Sequence, residues 1–254
     1  MKLKVVCLNV WIGGILFDGL VAFLKQENAD ILLLQEVYNG DSTFQKIQYR
    51  TYTELQKALG YEYSHFAPAF FEDAEGKEVV QGNAILSKFP IEHINTIFYD
   101  VTYSKRDPED NTKYHVTPRN LQHVSVTIAG KELHVLNTQG IWGTDGKDSE
   151  RRLQMSNQIL EEIGENTPVL FAGDLNVDEK TQTIAKIEAR LVNVFKNQLV
   201  TSFNISRKNL VSDPGYATAV VDMLFVSPDI TVLEARVPKV DISDHLPLVC
   251  EIEF

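Results

Sequence analysis

Acidic and amide side chains recur in this chain directly after apolar runs. Asn9 closes Val5 to Leu8, and Glu36 follows Ile31-Leu32-Leu33-Leu34-Gln35. Asp174 and Asn176 stand in Gly173-Asp174-Leu175-Asn176, just beyond Val169 to Ala172. Asp244 and His245 stand in Ser243-Asp244-His245-Leu246-Pro247, and Asp222 is a single acid within Val220 to Val226. Carboxylate and amide oxygens ligate hard cations, a carboxylate can take a proton from water, and an imidazole can donate to a charged oxygen. Each word alone has a plainer reading. Asn9 could cap a turn, Glu36 could be a solvated strand end, Gly173-Asp174 could be turn chemistry and Asp244-His245 a surface pair. Asp222 is harder to explain, because an isolated acid in a buried strand needs a partner.

Positioning such residues calls for strands whose ends meet. Leu3 to Leu8 reads as a strand, and Phe17, Leu20, Val21, Phe23 and Leu24 fall at helical spacing. The unbroken apolar run after Asp30 fits a strand covered on both faces. A polar helix is expected over residues 42–59, with Ser42 as its N-cap and Gly60 as its stop. Strand-like runs follow at Ala67 to Phe71, Ala84 to Ser87 and Ile91 to Phe98. Residues 100–118 read as a long polar loop. Leu121 to Ile128 and Glu132 to Asn137 read as a hairpin turned at Ala129-Gly130. Helices are expected over Asp148 to Ile163 and Thr181 to Leu191, with strands at Val169 to Ala172, Val220 to Val226, Thr231 to Ala235 and Leu248 to Ile252. The mixture predicts one α/β domain over 1–254, built of packed sheets.

The chain of 254 residues carries 24 Lys and Arg against 35 Asp and Glu, a net charge of −11. That balance disfavours tight non-specific binding to nucleic acid, which relies on cations releasing phosphate counterions. A local basic groove could still serve a nucleic acid. Cys7 and Cys250 sit in apolar runs and read as buried thiols; a disulfide would require the first and last strands to be neighbours. No run approaches the roughly 18 apolar residues of a membrane span. Val5 to Phe17 is interrupted by Asn9, Trp11, Gly13 and Gly14 and leads to no clear cleavage site, so a cytoplasmic location is expected.

Taken in order along the chain, the words LNVW at Leu8, LQEV at Leu34, GNAILSKFPI at Gly82, PRN at Pro118, LNTQ at Leu136, GDLN at Gly173, VDMLFVS at Val221 and SDHLP at Ser243 resemble the endonuclease/exonuclease/phosphatase superfamily. The resemblance implies a four-layer α/β sandwich like that of deoxyribonuclease I, two mixed sheets packed face to face with helices outside. It implies a metal-dependent hydrolase of phosphoesters using Mg²⁺, with Mn²⁺ as a substitute. Glu36 would be the main ligand, with Asn9 and Asp244 beside it. Asp174 would activate the attacking water, Asn176 would hold that water or a phosphate oxygen, and His245 would bind a phosphate oxygen with Asp222 behind its ring. Arg119 would contact phosphate, or else form a strand-end salt bridge, and Asn83 would lie near the substrate. Arg151 and Gln154 read as packing or helix-start contacts. Trp11 and Trp142 follow site words but read first as core residues.

One position departs from the pattern. Relatives commonly carry His, or Tyr in abasic-site enzymes, where this chain has Gln139. An amide cannot supply a proton. Gln139 could still bond a phosphate oxygen, or His115 in the polar loop could stand in for the missing group. The leading expectation is hydrolysis of a small or flexible phosphoester, diester or monoester. A DNA or RNA nuclease is the alternative, and it requires Lys105, Arg106, Lys113, Arg119, Arg207 and Lys208 to converge. A binding module without catalysis would be expected to have lost its acidic ligands first.

Overall fold

A computed structural model describes residues 1–208 and 216–254. In chain order the elements are β1 (Lys2–Asn9), α1 (Phe17–Glu27), β2 (Ile31–Tyr38), α2 (Thr51–Leu59), β3 (Tyr63–Ala74) and β4 (Lys77–Ser87). Next come β5 (Ile91–Phe98), β6 (Ser104–Lys105), β7 (Asn120–Ile128), β8 (Lys131–Gln139), α3 (Glu150–Ile163) and β9 (Val169–Asp174). The chain ends with α4 (Gln182–Glu188), β10 (Val192–Asn193), β11 (Asp222–Val226), β12 (Thr231–Arg236) and β13 (Leu248–Glu253). They form two mixed sheets, ordered β12-β13-β1-β2-β4-β3-β6 and β10-β11-β9-β8-β7-β5.

The unbroken apolar runs are explained by burial of both strand faces. In β1, Val5 and Cys7 point between the sheets, while Val6 and Leu8 point under α1. In β9, Leu170 and Ala172 face the other sheet, while Val169 and Phe171 lie beneath α3 and α4 with Met155, Ile159, Ile184 and Ile187. Alternate residues thus serve two cores, and the layers run α/β/β/α. The hairpin turns at Ala129 and Gly130, both at positive φ (50° and 80°), the conformation a tight hairpin turn requires. Ser149 caps α3 by accepting from Arg152 N, and Thr181 caps α4 by accepting from Ile184 N.

Two expectations about elements are corrected. The helix expected from Ser42 begins at Thr51, after a 3₁₀ turn over Ile47–Arg50; Gly60 does end it in a left-handed conformation. The reason is local competition: Asp41 accepts from Thr43 N, and Glu75 of the neighbouring hairpin accepts from Gln45 N and Lys46 N, holding residues 43–46 out of the helix. The long polar loop contains the short β6 and a 3₁₀ helix over Asn111–Val116. Cys7 and Cys250 do lie on adjacent strands, but Cys7 pairs with Leu248 and Cys250 with Val5, and both thiols are free.

β1 and β2 run parallel, as do β8 and β9. Their C-terminal ends deliver Asn9, Glu36, Gln139 and Asp174 to one edge of the sandwich. β11 starts at that edge, with Asp222 directly opposite Asp174. Close approach of β8 and β9 depends on Gly173, where a Cβ would lie 2.0 Å from Thr138 O.

Candidate active site

Glu36 is aimed by an irregularity. The register of β2 against β4 shifts between Leu34 and Val37, and Glu36 takes a positive φ of 59°. Such a bulge re-aims a side chain at the end of a strand. Gln35 turns inward and donates to Asn137 Oδ1 at 2.7 Å, while Glu36 turns to the cleft. Trp11, Ile12, Gly13 and Gly14 follow β1 with positive φ throughout, an uncommon conformation for a β-branched Ile. This turn presents Ile12 N to Glu36 Oε2 at 2.8 Å and Trp11 N to Asn9 Oδ1 at 3.0 Å.

The two sheets are tied together at the site by amides. Asn9 Nδ2 donates to Glu36 Oε1 at 3.1 Å and to Asp174 Oδ2 at 3.0 Å. Gln139 Nε2 donates to Glu36 Oε1 at 2.8 Å. The amide at the departing position therefore orients a carboxylate. Burial pushes the Glu36 carboxyl up, but the bonds from Ile12 and Asn9 and the charges of His245 and Arg119 outweigh it and leave the group below its ordinary value. Asp174 behaves oppositely: burial, with Asp222 and Glu36 nearby, raises it to about 6 despite His245 and Asn9.

Asn176 N donates to Asp174 Oδ1 at 3.0 Å from a left-handed conformation (φ 56°). The Asn176 amide donates to Gly140 O at 3.1 Å and accepts from Tyr216 Oη at 2.6 Å. Arg152, almost wholly buried, donates to the carbonyls of Ile141, Lys147 and Asn176 and so fixes this turn from behind.

On the far side, His245 Nδ1 pairs with Asp222 Oδ2 at 2.7 Å, and the ring sits edge-on to Phe203 at 4.6 Å. Burial alone would lower its pKa; the carboxylates of Asp222, Asp244 and Asp174 win and raise it to about 9. Ser243 Oγ accepts from His245 N and donates to Asn9 O at 2.7 Å, joining the last loop to the first strand. Lys208 Nζ donates to Asp244 Oδ2 at 2.6 Å.

Glu36, Gln139, Asp174, Asn176, Lys208, Asp244 and His245 border a cleft of about 160 Å³ whose other walls are Trp11, Ile12, Tyr114, Trp142, Phe203 and Tyr216. The structure brings Asn9, Glu36, Gln139, Asp174, Asn176, Asp222, Asp244 and His245 together. Of the remaining candidates, Trp11 and Trp142 line the cleft, and Asn83, Arg119 and His115 do not. Asn83 is buried and donates to Asn120 Oδ1 at 2.9 Å, away from the cleft. Arg119 is buried beside Phe70 and Tyr114 and donates to Tyr114 Oη at 3.3 Å; among the described residues it forms no salt bridge, and its Nε and Nη1 meet no partner. His115 is exposed and does not line the cleft, so it does not replace the imidazole absent at Gln139. Trp11 and Trp142 are half-buried cleft walls, because the turns carrying them hold the rings outside both cores. Arg151 pairs with Asp100 and donates to His115 O, a helix-start contact as expected. Lys208, expected at the site only under the nuclease reading, does line the cleft, whereas Tyr216, Tyr114 and Arg152 come from loops and a helix where no periodic signal marks them.

Asp174, Asp222 and His245 offer ligand atoms within 4.8 Å of one another. They suit a metal poorly. Asp222 occupies Nδ1 of His245, and a ring held up to about 9 is cationic at neutral pH and repels a cation. Glu36 and Asp244 fit better, as carboxylates on the cleft wall with only oxygen to offer, the donor set a hard divalent ion prefers. Asn9 Oδ1 keeps one lone pair beside its bond from Trp11.

Residues 8–245 match the Endonuclease/Exonuclease/phosphatase family, and the chain belongs to it. A DNA-(apurinic or apyrimidinic site) endonuclease of Dictyostelium discoideum is 26% identical over 213 residues, 84% of this chain. The chain spans half of that relative's length. Among solved structures, an endonuclease/exonuclease/phosphatase from Beutenbergia cavernae superposes with a TM-score of 0.76 at 20% identity, covering 99% of this chain and 71% of the other. A mannosyl-6-phosphatase from Bacteroides thetaiotaomicron superposes with a TM-score of 0.69 at 16% identity, covering 99% and 100%. These likenesses establish the four-layer fold, and the members of the family are hydrolases of phosphoesters.

Proposed function

We propose that this member of the endonuclease/exonuclease/phosphatase family is a single-domain, Mg²⁺-dependent hydrolase of a small phosphoester. The observation that carries the reading is the opposition of two carboxylates across one strand pair. Asp174 is raised to about 6 and faces the cleft, while Asp222 directly opposite is committed to a cationic His245. One acid is thus poised as a base near neutral pH and the other sustains a positive donor.

Asp174 accepts the proton of the attacking water at its carboxylate, oriented by Asn176 N and Asn9 Nδ2. His245 donates from Nε2 to a non-bridging phosphate oxygen, with its ring held by Asp222. Asn176, anchored by Gly140, Tyr216 and Arg152, keeps one amide hydrogen for the water or for phosphate. Glu36, Asp244 and Asn9 would hold Mg²⁺ or Mn²⁺, which when bound stabilises the charge developing on the phosphate. Gln139 orients Glu36 and has no proton to give, so the leaving group is one that departs without a protein acid.

The nuclease reading draws support from the Dictyostelium relative, which is named as an endonuclease of abasic DNA. Of the six cations it needs, Lys208 lines the cleft and Arg106 and Arg119 pack on its Tyr114 wall, but most of them are already spent on acids. Lys105 pairs with Asp73 at 2.6 Å, Arg106 with Glu72 at 2.9 Å, Lys113 with Asp110 at 3.1 Å, and Arg207 with Asp241. No helix among the described residues is long and apolar enough to cross a membrane.

The test is a Mg²⁺-dependent panel: abasic duplex, single-stranded DNA and RNA, sphingomyelin, inositol phosphates and a nitrophenyl diester. Turnover is expected on the small esters with a good leaving group and to stop with a chelator. Preference for duplex DNA, or turnover in chelator, would sink the proposal.

A further inference from the structure

We infer that Lys208 is an exchangeable counter-cation of the active site: it neutralises Asp244 while no divalent ion is bound, and it competes with that ion for the same carboxylate. The inference rests on the reading of Asp244 as a metal ligand. Lys208 Nζ lies 2.6 Å from Asp244 Oδ2 and 4.3 Å from the centre of the Phe203 ring. The side chain of Asp244 is 9% exposed and that of Lys208 24%, so the pair is screened far less than a surface ion pair. Lys208, Asp244 and Phe203 line the same cleft as Glu36, Asp174 and His245.

The lysine is carried by a turn tied to the loop it pairs with. Asn204 N donates to Asp244 O at 2.8 Å, and Asn204 Nδ2 donates to Ser243 O at 3.0 Å and Asp241 Oδ1 at 3.1 Å. Arg207 Nε donates to Asp241 Oδ1 at 2.7 Å. Of the other cations described on that face of the molecule, Arg207 is committed to Asp241, and His245, bonded to Asp222 through Nδ1, reaches only the other oxygen of Asp244, with Nε2 3.9 Å from Oδ1. Lys208 is the cation in hydrogen-bond contact with Asp244, at Oδ2.

Its chemistry suits exchange. Four carboxylates, those of Glu36, Asp174, Asp222 and Asp244, crowd this edge of the sandwich, and a buried carboxylate without a cation is costly. A divalent ion and an ammonium cannot both sit on Asp244 Oδ2 without repulsion over a few ångströms. The four-carbon lysine stem lets the ammonium leave the oxygen, and the Phe203 face offers it a resting place.

The experiment is calorimetric titration of Mn²⁺ into the full chain, wild type against Lys208→Met and Lys208→Arg. Methionine keeps the length and the contact with Phe203 but removes the competitor. Lys208→Met should bind Mn²⁺ about fivefold to twentyfold tighter, the size of a partly desolvated ion pair. Lys208→Arg, which keeps the charge, should stay within about threefold of wild type. Equal or weaker binding by Lys208→Met overturns the inference. The function proposed above fails differently: if neither wild type nor Lys208→Met binds Mn²⁺ at millimolar concentration, the metal reading falls and Lys208 with it. If all three bind alike and hydrolyse, only the role of Lys208 falls.

Discussion

Two histidine–carboxylate pairs in this molecule have nearly the same geometry and opposite surroundings. His245 Nδ1 meets Asp222 Oδ2 at 2.7 Å, and His123 Nδ1 meets Glu162 Oε1 at 2.6 Å. His123 spends its second nitrogen on His134 Nδ1 at 3.1 Å, and Glu162 also accepts from Asn95 at 3.0 Å. The chain of groups closes on itself between β5, β7, β8 and α3. His245 spends one nitrogen and keeps Nε2, 3.9 Å from Asp244 Oδ1, at a cleft walled by carboxylates. A paired histidine is thus no marker of chemistry by itself. The marker is a pair with a nitrogen to spare, inside a field of one sign, at a place a substrate can reach.

The largest effect is expected from the carboxylate that shares His245's field. Asp174→Asn should cost about 10³- to 10⁴-fold in kcat, the range of a lost general base. Its stability should move the other way. A folded value of about 6 exceeds the ordinary 3.8, so the ionised group weakens the metal-free fold. Its contribution is fully favourable below the unfolded value and lost as pH rises through about 6. Asp174→Asn at pH 7.5 should therefore keep Tm to within about 3 °C or raise it, roughly 1 kcal/mol at this chain length. Retained hydrolysis with intact metal binding would remove Asp174 from the mechanism. Next in size is the direct contrast. His245→Gln should lower kcat/KM by about 10²- to 10³-fold, as expected for a lost charged donor to phosphate. His123→Gln should leave it within about twofold, since the outer pair faces no substrate. A comparable loss in both would show that the pairs act through packing.

That contrast also marks how far the sequence could be read. The strand-end words are legible because burial of both strand faces forces continuous apolar runs, and a polar residue ending such a run stands out. Asn9, Glu36, Asp174 and Asn176 follow from that, and Asp222 from being an acid in a buried strand. The four layers follow from the ordered resemblance. What was not legible depends on geometry between elements. The bulge that turns Glu36 outward and Gln35 inward leaves no mark in the residue types. Tyr216 reaches the cleft from a loop, and Arg152 braces it from the buried side of α3, where an arginine reads as solvated; Lys208 is legible only as one cation of a basic groove, and its pairing with Asp244 is not. Asn83 and Arg119 show the converse: their words match the family, yet the structure uses one for an inter-sheet bond to Asn120 and keeps the other behind Tyr114.

The smallest expected effect tests the outer pair on its own terms. Burial, followed by the charge of His123, holds His134 below its ordinary 6.5, with Glu132 opposing and His93 reinforcing the shift. A histidine depressed in the fold takes up protons more readily when unfolded. Its contribution to stability is thus complete above about 6.5 and lost as pH falls below it. Glu162 Oε1, 2.6 Å from His123 Nδ1, places a negative charge beside the two imidazoles. Glu162→Gln removes that charge and leaves a protonated His134 less favourable in the fold. At pH 8 the variant should match wild type in hydrolysis and lose no more than about 1 kcal/mol, as for a partly exposed pair. Between pH 6.5 and 5 its Tm should fall more steeply than that of wild type. Parallel melting curves across that range would mean that Glu162 holds His123 by geometry alone, and the charge distinction drawn between the two pairs would then rest on His245 only.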